Sequence, residues 1–115
     1  MKLFSSPNKL IVRSVKPYFP VGHLKYTGQS SDYAIFRIDS RAEIYSGSGV
    51  NHSVRSYGFI DVFTTFDPSG ENSVMSSIEN ALLANNINVL NISTTYDPED
   101  NVFHTEFEIE VVQDV

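Results

Sequence analysis

Three glutamates alternate near the end of the chain, at Glu106, Glu108 and Glu110, and these are the residues whose type and spacing come nearest to chemistry. In an extended strand, residues two apart point to the same side and stand roughly 6–7 Å from one another. Such a row offers an acid and a base, or oxygen ligands for a cation. General acid–base work, however, needs two carboxyls whose surroundings drive their pKa values apart. A regular ladder on one open face gives its members similar surroundings. The sequence therefore predicts a solvated acidic face, or a surface that repels polyanions or a wrong partner, ahead of a catalytic pair.

The other reactive residue types form no constellation. His23, His52 and His104 lie far apart, without the His-x-x-x-His spacing of a helical metal site, and read as solvated imidazoles. There is no cysteine, which excludes disulfides, zinc–thiolate sites, iron–sulfur clusters and thiol catalysis. The segment Gly47-Ser48-Gly49-Val50-Asn51-His52 is rich in glycine, but it lacks the Gly-Lys-Ser/Thr ending of a phosphate loop and opens no helix. No Gly-x-Ser-x-Gly nucleophile elbow occurs. The glycine-rich segment reads instead as a hairpin tip able to reach a neighbouring subunit. The expectation is a protein that is not an enzyme and uses no cofactor or metal.

The elements that position these residues follow from periodicity. Ser6-Pro7 is a helix start, and Leu10, Ile11, Val15 and Tyr18 recur at helical spacing until Pro17 disfavours helix at Lys16. A short strand is expected within His23–Thr27. Tyr33–Tyr45 alternates, with Ala34, Phe36, Ile38, Ala42 and Ile44 on one face and Arg37, Asp39, Arg41 and Glu43 on the other. Val54–Phe66 is dense in β-formers on both faces, as in a central strand. A helix is predicted from Glu71 to Ala84, with Val74, Met75, Ile78, Ala81 and Leu82 as its apolar stripe and Asn85-Asn86 as its stop. A strand over Ile87–Thr95 follows. After the acidic turn at Tyr96–Asn101, a last strand points Phe103, Thr105, Phe107, Ile109 and Val111 inward and His104 with the three glutamates outward. This order predicts a single α+β domain over residues 1–115, an antiparallel sheet of about four strands with helices packed on one face.

Composition narrows the partners. The net charge is −6, and no Lys or Arg occurs beyond Arg55. A domain that grips nucleic acid carries a basic face, so direct gripping of DNA or RNA is not expected, least of all by the C-terminal half. No apolar run reaches the ~18 residues of a membrane span, and the N-terminus lacks the apolar core of a secretion signal. Tyr33, Tyr45, Tyr57 and Tyr96 cannot all face the core if the alternation holds, and exposed aromatics are enriched at interfaces.

The run Tyr57-Gly58-Phe59-Ile60-Asp61-Val62-Phe63, the helix to Asn86, then Tyr96-Asp97 and Phe103-His104-Thr105-Glu106-Phe107-Glu108 resemble the tail-terminator, or tail-completion, proteins of long-tailed, siphovirus-type bacteriophages. The likeness covers about Tyr33 to Val112 and rests on hydrophobic patterns; the N-terminal part matches in outline. It implies a ring, usually hexameric, at the head-proximal end of the tail tube. Such a ring stops the tube protein polymerising and presents a surface to the head connector protein. It implies assembly in the host cytoplasm, a place in the virion neck, no cofactor and no active site. DNA would pass through without specific binding, past a lumen that the Glu106, Glu108, Glu110 face would suit. A ring needs two different patches meeting head to tail. Gly47–His52 is a candidate for one, and the second helix or the N-terminal segment for the other. Two alternatives stand beside this reading: another neck, tail or minor capsid component, and a small dimeric α+β ligand-binding module.

Overall fold

The computed structural model describes residues 6–45, 52–69 and 73–114. Ser6 caps the first helix by accepting the Lys9 amide at 3.2 Å, and Pro7 sits where a missing N–H is harmless. This helix, α1 (Pro7–Val15), stops just before Pro17, as expected. Phe19 rather than Tyr18 then turns into the core; Tyr18 remains exposed. The chain continues into a three-residue strand, β1 (Val21–His23). It ends at Leu24, whose positive φ of 66° turns the backbone away. The short strand expected at His23–Thr27 thus lies a little earlier.

Two long strands follow, β2 (Tyr33–Tyr45) and β3 (His52–Thr64), then α2 (Val74–Ala84), β4 (Ile87–Asp97) and β5 (Val102–Asp114). The strand order is β1-β2-β3-β5-β4, with β1 parallel to β2 and every other pairing antiparallel. The sheet therefore has five strands and is mixed, where the sequence predicts about four in antiparallel pairing. The short strand is expected, but its parallel pairing with β2 is not, because three residues show no hydrophobic period that would fix a direction. β3 is central, which is why both of its faces carry bulk. Ser73 caps α2, and the left-handed Asn86 (φ 63°) ends it as predicted; Glu71, expected in its first turn, lies outside the described residues.

Both helices lie on one side of the sheet. Ile11 and Val15 of α1 and Met75, Ile78 and Leu82 of α2 share a core with Ala34, Phe36, Ile60, Val62, Ile87, Phe107, Ile109 and Val111. Each large side chain so buried contributes about 1.5–3 kcal/mol. The helices are also joined by a buried polar contact. Ser14 Oγ donates to the Leu10 carbonyl at 2.8 Å and accepts from Asn85 Nδ2 at 3.0 Å.

Two bulges adjust the faces. Ile38 pairs with Gly58 but Ser40 pairs with Tyr57, so Asp39 is an extra residue in β2. One inserted residue exchanges the faces of everything beyond it. Ala42 therefore leaves the side shared by Ala34, Phe36 and Ile38, against the unbroken alternation read from the sequence. Leu90 is the extra residue of β4, between the Val89–Ile109 and Asn91–Glu108 pairs.

Candidate functional site

The face of the sheet opposite the helices has no helix over it among the described residues, and its side chains form a connected set of polar and aromatic interactions. Register puts Tyr57 opposite Glu110, Phe59 opposite Glu108, Asp61 opposite Glu106 and Phe63 opposite His104. From β2, Tyr33, Ile35 and Arg37 stand opposite Phe63, Asp61 and Phe59. The result is a series of rows crossing the strands.

The first row is a line of stacked rings. Tyr26 stacks on Tyr33 at 4.7 Å between centroids, Tyr33 on Phe63 at 5.1 Å, and Phe63 on His104 at 4.6 Å. Beside it, Asp61 is nearly buried and uses both carboxylate oxygens. Oδ1 lies 2.8 Å from His104 Nε2, and Oδ2 accepts from Arg37 Nη1 at 3.2 Å. Arg37 also donates to Asp39 and lies over the Phe59 ring at 4.5 Å. Two rows beyond Asp61, past the Phe59–Glu108 pair, Glu110 accepts from Asn88 Nδ2 at 3.0 Å and from Arg55 Nη1 at 3.4 Å. The Asn88 hydrogen bond, against partial burial and with help from Tyr57 and Arg55, holds the Glu110 carboxyl below the ordinary glutamate range.

Asp61, His104 and Glu106 bring potential ligand atoms within 4.8 Å of one another. One imidazole and two carboxylates form a donor set that first-row divalent metals accept. Both Asp61 oxygens are already engaged, however, and one partner is a guanidinium. A cation would have to displace the His104–Asp61 bond beside a fixed positive charge. As it stands, Arg37 and His104 satisfy the buried Asp61 carboxylate, with Glu106 beside them.

No protein-family model matches the chain, and no curated protein matches it in sequence.

Glu106, Glu108 and Glu110 do share one face, but their surroundings differ, which corrects the expectation of a uniform ladder. Glu108 is exposed, Glu106 borders the Asp61 network, and the Glu110 side chain is only 13% exposed beside Arg55. One of the histidines departs from the solvated imidazoles expected: His104 is stacked and bonded to Asp61. His23 is exposed, as expected, with its ring against Phe36 at 5.0 Å. His52 begins β3, its backbone paired with Tyr45. Gly47, Ser48, Gly49, Val50 and Asn51, proposed from sequence as a subunit contact, lie outside the described residues.

Sequence reasoning missed Asp61 and Arg37 as partners. The signal was present: Asp61 is a lone acid in an apolar strand, at the opposite parity to the buried Ile60 and Val62. Only the β2–β3 register shows that Arg37 meets it. A groove of about 510 Å³ beside α1 was also not foreseen. Val12, Val21 and Phe36 line it, flanked by Lys9 and Arg13.

Proposed function

We propose that this chain is a structural ring subunit of a long-tailed bacteriophage, closing the head-proximal end of the tail tube and joining it to the head connector. The observation that carries the reading is the uncovered acidic sheet face. Asp61, Glu106, Glu108 and Glu110 outnumber Arg37 and Arg55 there, and both guanidiniums are bonded to carboxylates. A surface that grips DNA offers cations to phosphates; this one holds its cations in internal pairs and leaves Glu108 outward. That chemistry suits the wall of a conduit through which DNA moves without sticking. A connector elsewhere in the same neck would share this surface, and the gene's neighbours separate the two.

Deleting the gene from its phage should give overlong tails that carry no heads, seen by electron microscopy; tails of normal length would remove the terminator role. In the intact phage, Glu106→Lys with Glu108→Lys should leave assembly normal and lower infectivity by slowing DNA passage. Unchanged infectivity would show that this face does not line the conduit. A specific observation favours one rival, the ligand-binding module: the groove beside α1 is apolar with a few polar groups at its rim, as small-molecule sites are. That rival predicts a dimer at every concentration and a melting temperature raised by ligand.

A further inference from the structure

We infer that copies of this chain associate head to tail, the α2–β4 edge of one docking onto the α1–β1 edge of the next. The inference rests on the ring reading only for closure of the contact into a ring; the contact itself is argued from the two edges.

β1 and β4 are opposite edges of the sheet, and the helices follow the same order, α1 touching β1 and β2 while α2 touches β4. The two edges carry opposite charge. Residues 6–31 contain Lys9, Arg13, Lys16 and Lys25 and no carboxylate. On the other side, α2, β4 and the turn after it contain Glu79, Asp97, Glu99 and Asp100 and no cation. The placement is spatial as well as sequential, because β5 inserts between β3 and β4 and leaves β4 outermost.

The edges also fit in shape and polarity. β4 is a long edge strand whose residues from Ile87 to Tyr96 are all uncharged, with no proline and no lysine to deter a neighbour. Its bulge at Leu90 is the single protective device. Leu90, Ile92 and Tyr96 on β4 and Leu83 on α2 are large apolar side chains left exposed on this edge. The opposite edge has the groove beside α1, an apolar floor of Val12, Val21 and Phe36 flanked by Lys9 and Arg13. An apolar ridge bordered by carboxylates thus meets an apolar groove bordered by cations. Two different patches on opposite edges make a heterologous contact, which closes into a ring or extends as a filament. A symmetric antiparallel β4–β4 pairing would set the two acidic turns at opposite ends of the seam, away from any cation, and leave the groove empty.

Charge exchange tests the contact on the full chain. Glu99→Lys with Asp100→Lys cancels the excess acid of the α2–β4 edge, because Glu79 and Asp97 remain; Lys9→Glu with Lys25→Glu cancels the excess base of the α1–β1 edge, because Arg13 and Lys16 remain. All four residues are exposed, and thermal melts should confirm that both variants fold. In sedimentation over a wide concentration range, the unaltered chain should self-associate and each variant should do so at least about tenfold more weakly. Mixed in equal amounts, the two variants should regain the unaltered affinity in one kind of contact, because the untouched α1–β1 edge of the first meets the untouched α2–β4 edge of the second. Variants that associate as the unaltered chain does, a mixture that does not recover, or a chain monomeric at millimolar concentration would each overturn the contact. The ring reading is judged separately by the gene-deletion phenotype, so the two can fail independently.

Discussion

Glu110 ties the acidic face to stability. Its carboxylate is charged, largely enclosed and held by Asn88, Tyr57 and Arg55, so protonation in the folded state is disfavoured. The folded pKa lies below the ordinary value of 4.5. The stabilisation is therefore complete above about pH 5 and is lost as pH falls through the folded value. Glu110→Gln should lower stability at neutral pH and flatten the loss as pH falls below about 5, followed by urea denaturation at each pH. Glu108→Gln, an exposed change of the same charge, is the control; equal slopes for the two variants would remove Glu110 from the acid limb. At this scale the sequence was half legible. The alternation of the last strand correctly put three glutamates on one face. Their inequality was not legible, because it comes from Arg55, Asn88 and Asp61 on neighbouring strands, and those meetings depend on register.

Strands were the most legible elements and bulges the least. Tyr33–Tyr45 can be read directly from alternation, and Ser6-Pro7 and Asn85-Asn86 mark helix ends by local chemistry. The bulges at Asp39 and Leu90 leave no such mark, since each is set by the pairing of two strands. One residue does report the first. Gly58 faces Ile38 beside the bulge, and a Cβ there would collide with the Arg37 carbonyl oxygen. The obstruction is backbone, which cannot swing aside as a side chain can. Glycine in a strand interior commonly marks this kind of close approach. Gly58→Ala should cost about 1–3 kcal/mol in chemical denaturation, toward the upper end. A cost below about 0.5 kcal/mol would mean that β2 and β3 separate freely and that the bulge is not held by this contact. Because Arg37 and Asp61 meet across the same pair of strands, the variant should also loosen the Arg37–Asp61 pair.

Over the whole molecule, a trend along the chain becomes a direction in space. The absence of Lys and Arg beyond Arg55 is plain in the sequence, but its consequence depends on the strand order. Had β4 paired with β2, the acidic turn would lie beside the basic segment and the charges would cancel within one copy. With β1 and β4 at opposite edges, the inferred contact would instead pair them between copies. Such a contact has two parts that salt separates. Raising the salt from 0.1 to 1 M shortens the screening length from about 10 Å to about 3 Å. The attraction between Lys9, Lys25 and the Glu99–Asp100 turn should fade, while the packing of Leu90, Ile92 and Tyr96 remains. The dissociation constant measured by sedimentation should then rise by about tenfold and level off, as expected when rim charges guide an apolar centre. A constant that stays flat or falls with salt would mean that apolar burial alone joins the copies and that the opposed charges of the two edges play no part in the contact.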